Sequence, residues 1–529
     1  MTYGDARRLR HSRRHTLRGI YGQALFMLLA LVAGYQCVRG IFPDAETIRY
    51  ANAAFPCIFI SILLHTAYRC IRSRQATIWS PVFLVPVQSA VFFGFGPLVE
   101  VFGNDATIDY LNYSIIGMRP HELLRSHLVS TVGVACVMFG MWIHMVTHRT
   151  RWSFGGTAPH RRSGPLQRSP IDPTMVAFAL IAAGGLFRHL LLMPAQWGMI
   201  DVVIAGVLTS LGAIVDVGFG LLAILIGRGR KGFIPAFLLL WPAHVFLTVL
   251  SFAKTEILIA LLFPVIGFYA GNKNIRRLIV RLALVGIIFA ASQEWVHHGR
   301  AVVFERTQTI TDADYGTRTE ILFDYIATPK QAVPIEDARQ GWWTRLNYAR
   351  VQSFAINAYD SGSPGDTLST AWMYFIPRAI WAEKPILVSP GKAFFETVTG
   401  LNIQTFLGLS IYGDLYWNFG WLGVFVGCPL IGVLFAMLSW RSLRIMETED
   451  FLRVPLVLIT FELAAISPTE FIVNGILGLL PIYTAYAIGI SVLYLVLGHR
   501  RNMTRTRVPY RPKRQLRAGA PRSDAFRFQ

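Results

Sequence analysis

A long polar segment, residues 299–405, holds many of the side chains that can bind a charged or sugar-like ligand. Four tryptophans stand there among acidic and basic residues: Trp342, Trp343, Trp372 and Trp381. Aromatic faces beside charged groups suit a sugar, although tryptophans also anchor helices at a membrane interface. The helical spacing of Leu346, Ala349 and Phe354 predicts a helix at 342–359 on the outer membrane surface.

Carboxylates that can act as general bases lie in and after this segment. Asp324 and Glu383 lie within it, and Asp414 follows inside an apolar run. An ionisable residue in an apolar run is costly and usually functional, but Asp414 can equally cap a broken helix. Glu462 and Glu470 lie near a later apolar run, where a substrate path and a structural pairing both fit.

The elements that must position these residues are apolar helices. The chain is 53% hydrophobic and only 15% charged, whereas soluble domains approach a quarter charged residues. Roughly 20 apolar residues cross a bilayer as a helix. Twelve runs of this kind are found near residues 20–40, 51–68, 79–100, 128–147, 174–193, 202–227, 233–251, 255–271, 278–296, 406–440, 452–469 and 474–497.

The predicted fold class is therefore all-α: a polytopic transmembrane bundle of about 12 spans with a large, partly helical loop outside the cytoplasm. The run at 406–440 is long enough to include a re-entrant piece. The expected parts are a basic cytoplasmic tail at 1–18, helices 1–9 at 19–298, the loop at 299–405, helices 10–12 at 406–497 and a basic, disordered tail at 498–529.

The net charge of +20 is distributed as a topology signal. Both tails and most linkers that follow an even number of spans are basic: 69–74, 149–168, 228–231 and 273–281. The linker at 441–453 is the exception, since its charges cancel. Lys and Arg collect in cytoplasmic loops, so both termini are predicted inside and 299–405 outside. A basic inner surface also suits anionic lipid, and no motif accompanies it that would indicate nucleic-acid binding.

Several motifs are absent from the sequence. The five cysteines lie in or beside predicted spans, so no disulfide framework is indicated. No Walker loop or HExxH is present, which argues against an ATP-driven pump and a zinc protease. We expect chemistry without a metal or cofactor.

Two segments resemble a known family. Tyr374-Phe-Ile-Pro-Arg-Ala-Ile-Trp-Ala-Glu-Lys-Pro385 resembles the Pro-Arg-x-x-Trp-x-x-Lys-Pro signature of Wzy-type polymerases of O-antigen and exopolysaccharide repeat units. Gly413-Asp-Leu-Tyr-Trp-Asn-Phe-Gly-Trp-Leu-Gly423 is similar to the family's Gly-Glu-x-Tyr-x-Asn-Phe-Gly-x-x-Gly segment, with Asp414 where glutamate is commoner. Arg345–Arg350 and Phe252–Glu256 also resemble segments of such proteins.

The resemblance implies a bacterial inner-membrane glycosyltransferase. It would transfer a glycan from one undecaprenyl pyrophosphate to another lipid-linked repeat unit, at the outer face of the membrane. Arginine suits the departing pyrophosphate because its planar fork bonds two phosphate oxygens. The implied catalytic residues are Asp414, Arg378 and Glu383, and the implied substrate-binding residues are Arg345, Arg350, Lys254, Lys384, Trp381, Tyr374 and Tyr416.

Two other functions stay open. A secondary transporter or a flippase for lipid-linked oligosaccharide fits twelve spans, although no internal repeat is evident. An O-antigen ligase usually carries a His-Asn pair, and none occurs here. The expected partners are the lipid-linked oligosaccharide, membrane lipid, and a chain-length regulator and flippase; nucleic acid is not expected.

Overall fold

The computed structural model of this chain describes residues 16–42, 44–105, 107–108, 111, 119–152, 172–202, 210–307, 312–328, 341–376, 381, 383, 390–400, 407–448 and 450–505. Regular structure in these residues is helical, and none of them lies in a strand. The predicted all-α class is therefore confirmed for this part of the chain.

The longer helices are numbered here in chain order. The first nine are α1 Leu17–Ile41, α2 Ala45–Ser73, α3 Pro81–Phe102, α4 Pro120–Thr147, α5 Pro173–Gln196, α6 Ile214–Gly227, α7 Ile234–Val249, α8 Lys254–Asn272 and α9 Ile275–Thr307. The others are α10 Tyr315–Ala327, α11 Tyr348–Asp360, α12 Pro390–Thr399, α13 Ile411–Thr448, α14 Val454–Ile466 and α15 Gly478–Arg505.

Hydropathy explains most of these helices. Among the described residues, eight helices are long and apolar enough to cross a bilayer, and three shorter apolar helices accompany them at 214–227, 256–272 and 454–466. These helices identify a membrane protein. Twelve crossings, and the side of the membrane on which 299–405 lies, stay predictions.

The centre of the bundle is the contact between α4 and α13, the most extensive between two helices in the described structure. Gly140 of α4 lies against the carbonyl group of Pro429, and Gly432 of α13 lies against that of Val137. A methyl group at either glycine would overlap the facing backbone. Small residues therefore allow the two backbones to pack closely, as in other membrane helices.

Helix α13 is broken near its start. Gly420 has φ 59° and ψ −144°, a conformation that is essentially restricted to glycine. Gly423 lies against the carbonyl group of Leu415, whereas eight residues span about 12 Å in a straight helix. The chain therefore reverses at Gly420, and residues 411–419 pack against the helix that follows. This reversal agrees with the re-entrant piece predicted from the length of the run, and its position in the membrane stays a prediction.

A second break faces the first, between α14 and α15. The amide of Ile411 donates to the carbonyl of Ser467 at 3.3 Å, and the amide of Ile472 donates to the Asp414 carboxylate at 2.9 Å. Backbone groups without partners are costly in apolar surroundings. Each interrupted segment thus provides a hydrogen-bond acceptor for a backbone amide of the other, and these bonds keep both segments in place.

Segments 312–328, 341–376 and 390–400 lie at one end of the bundle, where α3 and α9 end and α4 and α8 begin; we call it the loop end. Helix α11 packs here against α4 and α13. Gln352 donates to Ser130 and accepts from Ser410, at 2.9 and 3.0 Å. The helix predicted at 342–359 is thus present only in part, because residues 345–347, with Leu346, are not helical. Helix α11 packs against protein, because its buried face carries polar groups with partners in the bundle.

Candidate functional site

Four basic side chains from three parts of the chain meet at the loop end; we call them the basic cluster. The ammonium group of Lys254, on α8, donates a hydrogen bond to Nε2 of His297, on α9, at 2.9 Å. Arg345 and Arg300 lie close enough to act electrostatically on that imidazole, and Arg345 also acts on Arg300. Lys254 and Arg345, two of the predicted substrate-binding residues, are therefore brought together, although 90 residues separate them in the sequence.

A tight corner before α8 aims Lys254 at α9. Phe252 has a positive φ of 52°, which is uncommon outside glycine. Its carbonyl accepts from Nε of Arg300 at 2.9 Å, and its ring packs edge-on against Trp295. Gly299 lies directly against that ring, where any larger residue would overlap it. The local strain is thus held by contacts with α9, and it fixes the start of α8 beside His297.

Arg318 holds helix α10 in place next to this corner. Its guanidinium donates to the carbonyl of Leu250 at 3.0 Å and lies over the Trp197 ring, 4.0 Å from the centroid. Burial lowers the pKa of Arg318 to about 10, so the side chain remains charged at neutral pH. A residue this enclosed supports the structure around the basic cluster. The sequence analysis did not single it out, since nothing near it in the sequence marks it as buried.

Arg350 has a different environment from Arg345. It is buried and pairs with Glu100 of α3 at 3.0 Å, and it also donates to the carbonyl of Leu111. Asn347 donates to the same Glu100 oxygen at 2.8 Å. The predicted phosphate-binding segment 345–350 therefore places its first arginine in the basic cluster and its last in an ion pair with α3.

Beside this ion pair lies a polar cavity of about 280 Å³. Its lining comes from the starts of α2 and α4, the end of α3 and the residues between them, at the loop end. The lining residues are Arg49, Asn52, Glu100, Val101, Ile108, Arg119, Pro120 and Leu123. We call it the Asn52 cavity.

Asp414 is enclosed and fully hydrogen-bonded. It has no exposed surface, and its carboxylate accepts from Thr367 at 2.7 Å, from Asn418 at 2.9 Å and from the amide of Ile472. These contacts join the loop segment, the re-entrant half of α13 and the second break. The geometry agrees with the capping role left open by the sequence; the catalytic role stays a prediction.

Replacing Asp414 with asparagine is expected to lower the free energy of unfolding by about 1–3 kcal/mol, because an amide group then faces a hydrogen-bond donor. Thr367→Val, which removes one donor, is expected to cause a loss in the same range. Denaturant titration of the purified protein in detergent measures both. Unchanged stability with lost activity in Asp414→Asn would instead support the catalytic assignment.

Of the other predicted site residues, the structure describes the side chains of Tyr416, Trp381 and Glu383. The Tyr416 hydroxyl lies between Arg125 and Asp360, at 3.1 and 3.3 Å, and those two side chains form an ion pair. Trp381 stacks on Trp372, with centroids 5.9 Å apart. Glu383 is exposed nearby. Arg378, Lys384 and the side chain of Tyr374 lie outside the described residues.

Glu470 lies between the two interrupted segments and α11. Burial raises the pKa of its carboxyl group, and a hydrogen bond from Asn474 offsets part of that shift. Burial also raises the pKa of Tyr348 to about 12, with the Glu470 charge adding to it. Burial thus disfavours the charged form of both groups.

A largely buried charged network connects helices α5, α6, α7 and α8. It was not predicted from the sequence. Arg188 donates to Asp216 at 2.8 Å and to Glu256 at 3.0 Å. The imidazole of His244 bonds to Asp216 at 2.8 Å and to His189 at 3.0 Å. The available signal was their position, because each is an ionisable residue in or at the edge of an apolar run. This set is the charged network below.

Comparison with known proteins adds no assignment: no family model, curated protein or solved structure matches the chain. Function must therefore be inferred from the site. The basic cluster can bind a polyanion, since aimed cationic donors stabilise concentrated negative charge.

Proposed function

We propose that this protein polymerises polysaccharide repeat units carried on undecaprenyl pyrophosphate, at the outer face of the bacterial inner membrane. In this proposal both termini are cytoplasmic and the loop end faces outward. The resemblance of 374–385 and 413–423 to Wzy-type polymerases supports the family, and the basic cluster supports the substrate. No metal or cofactor is required.

The observation that carries the proposal is the convergence of Lys254 with Arg345. Both residues were predicted to bind substrate from separate stretches of sequence, and they share a cluster with Arg300 and His297. Like charges brought together repel, and a bound anion relieves that repulsion. A diphosphate offers several oxygens to such a group of donors, whereas a single carboxylate offers two.

The reaction follows from where charge develops. The bond between the first sugar and the diphosphate breaks, and the diphosphate keeps the bonding electrons. Arg345 and Arg300 supply permanent positive charge, while Lys254 supplies an ammonium that His297 orients. Donors already aimed at the developing charge need no rearrangement as the bond breaks. The basic cluster thus lowers the barrier by stabilising the leaving group.

The incoming hydroxyl must lose its proton as the new glycosidic bond forms, and a carboxylate is the usual acceptor. Asp414 is enclosed by three donors in this structure, whereas Glu383 is exposed beside the Trp372–Trp381 pair. We therefore favour Glu383 over Asp414 as the base. The indole faces can hold the sugar that carries the attacking hydroxyl, with Trp372 still 53% exposed.

The charged network favours one alternative, a proton-coupled transporter or flippase. Transporters commonly use Asp, Glu and His inside the membrane to carry protons. Asp216, His244 and His189 form such a chain, although Arg188 also explains Asp216 as an ion-pair partner.

A deletion strain separates the two functions. We expect it to carry surface glycans of a single repeat unit and no longer chains, because export precedes polymerisation. Plasmid-borne wild type should restore the chain-length ladder on a glycan gel. Loss of all surface glycan would support the flippase, and an unchanged ladder would contradict both.

A further inference from the structure

The Asn52 cavity contains a buried acceptor without a partner. Asn52 is 2% exposed, and its nitrogen donates to the carbonyl of Pro120 at 2.9 Å. That bond fixes the orientation of the amide, because only the nitrogen can donate. The amide oxygen then has no hydrogen-bond partner among the residues that the structure describes. An unsatisfied buried acceptor is costly, so a ligand that donates a hydrogen bond to it gains binding free energy.

Glu100 adds a second acceptor to the same lining. One of its carboxylate oxygens, Oε1, accepts from both Arg350 and Asn347. The ion pair with Arg350 neutralises its charge, so the carboxylate does not repel an anion as a lone charge would. The inner part of the cavity therefore suits hydroxyl groups, which donate to both Asn52 and Glu100.

The rim of the cavity is cationic. Arg49 lies one helical turn before Asn52, about 4.5 Å nearer the start of α2 and thus nearer the loop end. Arg119 precedes the first residue of α4. Both arginines are exposed and line the opening. A ligand that fits this distribution carries hydroxyl groups at its inner end and an acid group at its outer end.

We propose that the Asn52 cavity binds an acidic monosaccharide unit, with hydroxyls on Asn52 and Glu100 and its acid group on Arg49 and Arg119. A cavity of about 280 Å³ admits a unit of that size but no long oligosaccharide. Assigning this unit to the repeat that the protein polymerises rests on the proposed function. The binding itself does not. The repeat unit is then an acidic one, and Asn347 and Arg350 link its cavity to Arg345 in the basic cluster.

Saturation-transfer NMR with the full-length protein in nanodiscs tests this binding directly, using glucuronate, glucose 1-phosphate, glucose and acetate as probes. We expect the two acidic sugars to bind at least about tenfold more tightly than glucose or acetate, since only they satisfy both ends of the cavity; tenfold corresponds to one lost hydrogen bond. Comparing glucuronate with glucose 1-phosphate identifies the acid group. Equal binding of acetate, equal binding of glucose or no binding of any probe overturns the proposal.

Matched variants locate the site. Asn52→Ala should weaken glucuronate binding about tenfold. The exposed pair Arg49→Gln/Arg119→Gln, which disturbs no buried contact, should remove the preference for glucuronate over glucose. Arg72→Gln, an exposed arginine at the other end of α2, should leave binding unchanged. Unaltered binding in the Arg49/Arg119 double variant overturns the proposal. A negative binding result would not change the glycan ladder expected of the deletion strain. The binding proposal and the proposed polymerase function can therefore be rejected independently.

Discussion

Replacing Arg345 with alanine is expected to lower the rate of glycan chain growth about 100-fold, because one aimed donor to a developing anion contributes about that much. The measurement is polymerisation of a defined lipid-linked repeat by the purified protein, with chain length read on a gel. Lys254→Ala should cause a loss of similar order. Neither change should abolish folding, because both side chains lie at the loop end outside the packed core.

Arg306→Ala provides the matched control. Arg306 is an exposed residue at the end of α9, the helix that carries Arg300 and His297. It pairs with Glu320 outside the basic cluster. We expect its rate to stay within about twofold of wild type, since exposed ion pairs contribute little. If Arg345→Ala, Lys254→Ala and Arg306→Ala all retain the wild-type rate, the basic cluster does not hold the leaving group.

Replacing Arg188 with alanine is expected to lower the free energy of unfolding by about 3–5 kcal/mol, because it leaves Asp216 charged and buried without its cation. The side chains of Arg188 and Asp216 are only 6% and 1% exposed. Reversible unfolding in mixed detergent micelles measures the loss. The double change Arg188→Met/Asp216→Leu should recover much of it, since a buried pair replaced by apolar residues is often neutral.

An exposed pair serves as the comparison for this change. Arg230 and Asp172 are 47% and 55% exposed and lie 3.2 Å apart. Arg230→Ala should cost less than about 1 kcal/mol. A similarly small cost for Arg188→Ala would mean that the charged network contributes little to folding, and its role would then have to be functional.

Sequence alone located the features that depend on local composition. Apolar runs predicted the helices, and the length of the run at 406–440 predicted the re-entrant piece that ends at Gly420. The resemblance identified both Lys254 and Arg345. Their meeting point was not predictable, because it depends on how α8 and α9 pack beside the segment at 341–347.

Side-chain contacts between different helices were the main feature that the sequence did not predict. Arg188 and Asp216 lie 28 residues apart on separate helices, and no local pattern assigns one to the other. His297 is the end of an apolar run in the sequence, but in the fold it is the acceptor for Lys254. Arg350 was predicted to have the same role as Arg345, but the packing of α11 against α3 directs its side chain toward Glu100. Such differences arise from tertiary packing, which hydropathy does not record.

The paired breaks constrain how the C-terminal third of the chain enters the bilayer. The half-helix at 411–419 is too short to cross alone, and Ile411 obtains a backbone partner only from Ser467, which the ribosome makes more than fifty residues later. A translocon that releases one segment at a time would leave that half-helix at the membrane surface until Ser467 has been made. We therefore expect the half-helix to reach its final position only after Ser467 has been made, and truncation before Ser467 removes the partner of the Ile411 amide.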